Sequence, residues 1–489
     1  MAAQSSPTPG KEADVAVVMV PLPAQGHLNQ LLHLSRLISA RGIPVHYVGS
    51  STHISQATTR VHGWDPHHAA NLHFHPFPLP PQFESHQPPA LDTAASTKFP
   101  SHLFPVFEAT EQHLRQPIAD LVSHIAAGKK RVAVIVDELL GWVVPSVIQK
   151  AEVYRFRCVS AFCTYSYYWE AAGKPVVGKD ADQLLSFLPS DEGCFPPEYI
   201  KAVKLQRRYW KEISGDIVNS NREIEAPFLD LLGGVSKVHQ WAVGPFNPIS
   251  FSNTRDSKNR HKSLQWLDNQ EKDSVLLVSF GTTTPLSKDQ ITELAIGLEQ
   301  SMQKFIWVLR DRDRGDLSDG VDAVRADLPD GYEERTRERG LVVRDWAPQL
   351  EILGHASTGG FLSHCGWNSC VESISMGVPV AAWPMHSDQP RNATLITRGL
   401  MKVGISLMDW ERRDELVSRE EVAEGVKKLM ASKAGEEVRQ NAVKLSESIK
   451  TSISSGAVRT EFESFITHIT RDSGGPLVEP NPTAIRSAI

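Results

Sequence analysis

Residues 361–373 read FLSHCGWNSCVES, placing an imidazole, a bare backbone, an indole and two small polar caps in one strand-to-helix corner. A helix beginning at Asn368 presents unpaired backbone N–H groups and the positive end of its dipole, and both attract an anion. Gly366 lets a ligand come close to the backbone, while His364, Asn368 and Ser369 add side-chain donors. The corner has the chemistry of a phosphate seat, although Gly-x-Asn-Ser is also an ordinary helix start. A second set lies in the N-terminal half. PLPAQGHLNQ (21–30) puts His27 just past an apolar run, and RVAVIVDEL (131–139) ends another on Asp137, with Glu138 adjacent. A carboxylate bonded to one imidazole nitrogen fixes the tautomer and supports the charge as the other nitrogen takes a proton. A histidine alone at that place more often caps a helix or faces solvent; the aspartate makes it a candidate base.

Such residues work together only if their strands end at a common edge. Short β-rich apolar runs alternate with helical patterns throughout, the signature of parallel sheets wrapped by helices. Strands are predicted over Val15–Val20, Val45–Val48 and 131–136, with a helix over Asn29–Ala40 ended by Gly42. Residues 64–100 read as a His- and Pro-rich loop excursion, and 151–240 as mostly helical and aromatic. The polar segment 246–263 reads as an interdomain linker. A second series follows: strands at 274–281, 304–309, 341–343 and 360–362, and a helix opened by a Ser287/Gln290 capping box. That helix aligns Ile291, Leu294, Ala295, Leu298 and Met302 on one face. Two late helices place Val438, Ala442, Leu445 and Ile449, then Phe462, Phe465, Ile466 and Ile469, in phase. The predicted division is a disordered 1–13, an N-terminal acceptor domain over 14–245, the linker, a C-terminal donor domain over 264–455, a helix over 456–471 packing back on the N-terminal domain, and a tail over 472–489.

The 489 residues, 41% hydrophobic and 22% charged, suit a soluble chain of two or three domains. A net charge of -6 without a basic stripe argues against a nucleic-acid surface. The five cysteines are few and unevenly spaced, which suits a reducing cytosol. With no apolar signal core or membrane-length run, a cytoplasmic protein is expected, and Asn392-Ala393-Thr394 reads as a chance glycosylation motif.

From Trp346 to Gln389 the 44 residues WAPQLEILGHASTGGFLSHCGWNSCVESISMGVPVAAWPMHSDQ resemble the secondary-product signature of plant family-one UDP-sugar-dependent glycosyltransferases. The visible departure is Cys370, where threonine is usual. The resemblance implies a GT-B fold: α/β, with two Rossmann-like domains whose parallel sheets face each other across a cleft. It also implies Trp346 stacking on uracil, the Ala347 backbone reading its edge, Gln349 near the ribose, and Glu372 accepting from the ribose hydroxyls. His364, Gly366, Asn368 and Ser369 would hold the diphosphate, aided by Thr282 and Thr284; Trp367, Asp388 and Gln389 would meet the sugar, the terminal glutamine favouring glucose. His27 is carried over as base and Asp137 as its orienter.

The implied reaction is inverting and needs no metal or cofactor, UDP-glucose being a co-substrate. Asp180-Ala181-Asp182 and Asp311-Arg312-Asp313 spell metal-binding triplets but lie in charged stretches where such triplets arise by chance, and GKPVVGK (173–179) lacks the Ser/Thr of a P-loop. PLPAQGHLNQLLHLSRLISARGIPVHYVG, RVHGWDP and AWPMHSDQP are similar to the zeatin O-glucosyltransferase branch of that family, implying a cytokinin acceptor. Phe162, Tyr165, Tyr168, Trp169 and Phe187 are candidates for its pocket, or equally for the core. Other small alcohols or phenols (flavonoid, terpenoid), UDP-xylose as donor, and a non-catalytic nucleotide-sugar binder are the competing readings. A monomer without nucleic-acid or membrane partners is expected.

Overall fold

The computed structural model describes residues 14–61, 63–84, 98–250, 260–281, 286–309, 327–399 and 401–472. Seven strands, β1 (Val15–Val20), β2 (Val45–Ser50), β3 (Leu72–Phe77), β4 (Arg131–Asp137), β5 (Glu152–Arg157), β6 (Gly215–Val218) and β7 (Gln240–Ala242), form one parallel sheet in the order β3-β2-β1-β4-β5-β6-β7. Six more, β8 (Val275–Ser279), β9 (Lys304–Val308), β10 (Gly340–Val343), β11 (Thr358–Ser363), β12 (Val380–Ala382) and β13 (Gly404–Ser406), form a second parallel sheet in the order β10-β9-β8-β11-β12-β13. Both orders reverse direction once, between β1 and β4 and between β8 and β11. Such switch points open a crevice at the carboxyl ends of the strands. The central strands are runs of Val, Ile, Ala and Leu because helices cover both of their faces.

Several elements differ from the sequence expectations. The first helix spans Gln25–Ser39, four residues earlier than expected, so His27 lies in its first turn. The expected loop at 64–100 contains β3, whose LHFHPF hides its period behind His and Pro; as an edge strand it tolerates Pro76. Likewise 151–240 holds β5, β6 and the start of β7; β6 and β7, of four and three residues, are too short to outweigh the helices around them, and β5 breaks its apolar run with Arg155 and Arg157. Ser287 caps its helix by accepting from the Gln290 N–H at 3.2 Å, but the Gln290 side chain bonds Val417 in both directions, so the box is half formed. Met302 is the left-handed C-cap and exposed, not part of the apolar face. Within the linker, Phe246 is buried and Asn247 donates to Ser375 Oγ at 3.0 Å; residues 251–259 lie outside the described residues, as do 1–13 and 473–489.

The last helix, Ala457–Thr470, crosses from the second half to the first. Phe462, Phe465 and Ile469 join the core formed by β1, β4, β5 and the first helix, and Phe465 meets Tyr154 and Trp241 edge-on at 5.6 and 5.3 Å. Arg471 clamps the end of this helix to Glu152 at 2.7 Å. Phe465→Ala should therefore destabilise the N-terminal half by ~3–5 kcal/mol. A melting temperature equal to wild type in calorimetry would refute that packing role.

Candidate functional site

At the first switch point, β1 and β4 run in register, with Val20 opposite Val136, so Asp137 ends its strand beside the loop that leads to His27. His27 Nδ1 and Asp137 Oδ2 lie 2.7 Å apart. Asp137 has no solvent exposure, and its other oxygen accepts the Leu139 N–H at 3.1 Å. A fully buried carboxylate needs such partners. It selects the tautomer with the proton on Nδ1, leaving the Nε2 lone pair free to accept. Burial of the imidazole works to lower its pKa, but Asp137, with Glu138 and Asp388 farther off, outweighs that and holds it above the ordinary 6.5.

At the second switch point, β11 ends on Ser363, whose Oγ accepts the Cys365 N–H at 3.1 Å, and Cys365 turns the chain at φ +64°. The following helix spans Trp367–Met376 and is capped by Gly366 with no side-chain bond, so it starts one residue before Asn368. Its first-turn N–H groups are left without a side-chain cap. Asn368 does not cap; its amide donates across the cleft to the Gly26 carbonyl at 2.5 Å. The His364 ring lies between two glycines: a Cβ on Gly281 or on Gly366 would fall 2.7 or 2.6 Å from its Nε2. Burial pushes His364 down to about 4, so it is neutral near pH 7, and its buried Nδ1 has no hydrogen-bond partner among the described residues.

Gln349 Nε2 donates to Glu372 Oε2 at 2.8 Å and to Ser369 Oγ at 3.1 Å, tying three residues of the signature into one cluster. Burial, opposed by that Gln349 bond, pushes the Glu372 carboxyl up to about 7. Trp346 is half-buried, with the Arg60 guanidinium 5.2 Å from its ring centroid, and Ala347 is buried beside it. The Trp367 indole is buried and its N–H donates to the Asn219 carbonyl at 2.8 Å, a contact between the halves. Asp388 accepts from Asn392 Nδ2 at 2.7 Å, and burial raises its pKa. Gln389 Oε1 accepts the N–H groups of Met385 and His386 at 2.9 and 3.1 Å, which leaves its amide N–H₂ facing the His386 ring. Asn392 is fully buried, so its glycosylation motif is closed to modification. Thr282 and Thr284 lie outside the described residues, as do Asp311 and Asp313. Asp182 accepts from the Val177 and Gly178 N–H groups, a local helix-start contact.

One cavity of about 570 Å³ between the sheets is lined by His27, Trp346, His364, Asn368, Glu372 and Asp388. It therefore joins the imidazole–carboxylate pair to the anion seat. Of the five residues expected to line an acceptor pocket, Tyr168 lines this cavity. Phe162 and Tyr165 instead pack on Phe228 at 4.8 and 6.4 Å in the core. Trp169 donates to the Pro175 carbonyl and Phe187 lies exposed under Arg398. The apolar wall comes from Phe99, Leu103, Phe107, Leu139, Tyr199 and Trp210. FPSHLFPVF (99–107) carries that signal as an aromatic cluster, but its Pro and Ser disguise it as a loop.

The family model "Glycosyltransferase, N-terminal domain" matches residues 13–248, and "UDP-glucoronosyl and UDP-glucosyl transferase" matches residues 252–451. The chain is 50% identical over 466 residues to a zeatin O-glucosyltransferase of Phaseolus lunatus, covering 94% of this chain and 98% of that one. It is 48% identical to a zeatin O-xylosyltransferase of Phaseolus vulgaris, covering 94% and 99%. Among solved structures, Phytolacca americana UGT2 complexed with UDP-2fluoro-glucose and pterostilbene superimposes with a TM-score of 0.73 at 25% identity, covering 94% and 99%. The fold is the two-domain GT-B arrangement. Among the described residues no helix is long and apolar enough to cross a membrane.

Gly281 adopts φ +79°, so Gly281→Ala strains the backbone and drives a methyl into the His364 ring. The resemblance makes His364 a donor to the diphosphate, so displacing its ring should weaken UDP binding by ~10-fold or more in calorimetry. Wild-type affinity would mean that His364 does not contact the nucleotide.

Proposed function

Because the chain belongs to the UDP-glucoronosyl and UDP-glucosyl transferase family, whose members move a sugar from a UDP-sugar to a small molecule, we propose that it glucosylates the side-chain hydroxyl of a cytokinin such as cis- or trans-zeatin, with inversion at the anomeric carbon. The observation that carries this reading is the 2.7 Å His27–Asp137 pair opening into the same cavity as the anion seat. Relatives named for zeatin, at 50% and 48% identity over nearly the whole chain, supply the acceptor class.

In this reaction Nε2 of His27 takes the acceptor hydroxyl's proton while that oxygen forms the new bond to the anomeric carbon. The bond from that carbon to the β-phosphate oxygen breaks, and UDP leaves with the electron pair on the opposite face. Asp137 holds the Nδ1 proton and supports the imidazolium. Trp346 stacks on the uracil, Ala347 reads its edge with its backbone, and Gln349 and Glu372 meet the ribose. The uncapped turn at Gly366–Ser369, with His364 and Asn368, receives the growing charge on the diphosphate. Asp388 and Gln389 hold the sugar hydroxyls beside Trp367. One chain supplies every group, so a monomer suffices.

The donor seat uses dipoles and neutral donors, so no divalent ion is called for. His27, Asp137 and Cys158 do place ligand atoms within 4.8 Å of one another. The Cys158 thiol, however, donates to Glu138 Oε1 at 3.7 Å, and the His27 Nδ1 atom of that group already holds Asp137. UDP-xylose is the second donor reading, favoured by the xylosyltransferase relative.

Only the neutral imidazole accepts a proton, so kcat/KM should fall as pH drops through the His27 pKa, with a midpoint above 6.5. Asp137→Asn removes the group that raises it. The acid limb should then move to lower pH while kcat drops ~10²-fold or more; His27→Ala should lose at least as much. UDP binding should persist in both variants. An acid limb unmoved in Asp137→Asn would sink the pairing mechanism.

A competition assay should give faster UDP release from UDP-glucose than from UDP-xylose with zeatin as acceptor, unchanged by EDTA. Preference for UDP-xylose would replace the donor, absence of any zeatin turnover would remove the cytokinin reading, and chelator sensitivity would overturn the metal-free mechanism.

A further inference from the structure

We propose that Glu138 and Arg157 form a fixed acceptor–donor pair that reads the N6–H and N7 edge of the acceptor's adenine ring. This inference rests on the cytokinin reading and names the residues that would make it selective for a purine. Both side chains line the cavity beyond the base. Arg157 is 3% exposed; its Nε and Nη2 both donate to Asp216 Oδ2, at 3.1 and 3.0 Å. Asp216 is fully buried and is shared with Arg155, which donates to its two oxygens at 2.8 Å each. The guanidinium is thereby fixed, with Nη1 directed at Glu138 Oε2 across 3.6 Å. That gap exceeds a hydrogen bond, which needs about 3.2 Å or less. The other Glu138 oxygen accepts a long S–H contact from Cys158 at 3.7 Å.

A carboxylate and a guanidinium facing an apolar chamber at incomplete contact are costly to keep, and a ligand that completes both bonds recovers that cost. The complement of a carboxylate beside a guanidinium is a ligand edge with a donor beside an acceptor. An N6-substituted adenine presents that pattern at N6–H and N7. Glu138 immediately follows Asp137, the residue that holds the base, and the reacting hydroxyl of zeatin hangs from N6. The N6 side of the ring is therefore the side that can lie against Glu138 while the hydroxyl reaches His27. The wall of Phe107, Leu139 and Trp210 supplies flat apolar contact for the ring. The competing role for Glu138 is purely electrostatic, through its field on His27.

The test compares trans-zeatin with its 7-deaza analogue, which lacks the N7 acceptor, and with a 6-oxygen-linked analogue, which lacks the N6–H donor. In the wild-type enzyme each analogue should raise KM by ~10-fold or more, with a much smaller change in kcat. Glu138→Gln should raise KM for zeatin. Its amide N–H can donate to the ether oxygen, so the preference for zeatin over the oxygen-linked analogue should shrink by ~10-fold. A UDP-induced thermal shift serves as the control that the variant is folded. Equal kcat/KM for zeatin and both analogues in the wild type would overturn the edge-reading pair while leaving the cytokinin reading intact. So would a Glu138→Gln variant that lowers kcat equally for all three acceptors and moves the acid limb. Failure of the wild type to turn over zeatin at all would strike the cytokinin reading, and this inference with it.

Discussion

A carboxylate with no solvent contact must be neutralised inside the fold, and Asp137 meets that requirement with one imidazole and one backbone N–H. The chain meets the constraint by topology. β1 and β4 are neighbours across the switch point although 110 residues separate His27 from Asp137. The helix that begins at Gln25 packs Leu28, Leu31, Leu32 and Leu34 into the core, which sets the rotation of its first turn and so the direction of the His27 ring. Apolar burial thus aims a polar pair.

The second sheet repeats the device with different chemistry. β8 and β11 flank its switch point, and their ends carry Gly281 and the corner around His364. Because ligand crevices form where strand order reverses, two such sheets facing each other give a cavity with a distinct function on each wall. The distance between those walls is set by polar contacts, buried and exposed, around the rim. Asn368 reaches Gly26, Trp367 reaches Asn219, Ser160 reaches Asn392 at 3.0 Å, and Glu351 accepts the Gly63 N–H at 3.1 Å. Arg391, 1% exposed, donates to Glu170 and Asp191 at 2.6 Å each and also to Ser166. Several of these contacts come from the donor signature itself, so that segment both lines the cavity and joins the halves.

Legibility in the sequence followed contiguity. The donor wall is nearly one uninterrupted segment, β10–loop–helix–β11–helix–β12, so its polar residues stand at fixed spacings that can be read directly. β1, β4 and β8 are equally plain because strands buried on both faces leave unbroken apolar runs, whereas in β11 (TGGFLS) only the middle, 360–362, is legible. β3, β12 and β13 were hidden by shortness or an edge position, and β5 by its alternating arginines, which serve Asp216 rather than solvent. Gln290 matched a capping box but found a better partner in Val417, 127 residues away, a tertiary bond no local pattern reveals. The apolar wall is assembled from 99–107, 138–139 and 195–210, so its members share no period. Aromatic content at 162–169 pointed instead to residues that fill the core around Phe228.

The charge state of the cavity links these walls. Burial raises the pKa of Glu372, to about 7, and of Asp388, and raises that of Glu138 against the opposing pull of Arg157; it pushes His364 and His386 down to about 4 and about 3. Around the donor seat, then, the protein offers the incoming diphosphate no imidazolium to pair with. In the proposed reaction the corner that receives that anion offers oriented dipoles: the uncapped first turn after Gly366, the neutral His364 ring and the side-chain amides. Dipoles held in place by packing cost no reorganisation when charge moves, and they act more strongly where water is excluded. The His27 imidazole runs the other way, its pKa raised because Asp137 stands behind it. In the proposed reaction a cation forms there as the anion forms on UDP. The fold therefore separates the two developing charges onto opposite sheets, each facing the group built to stabilise it.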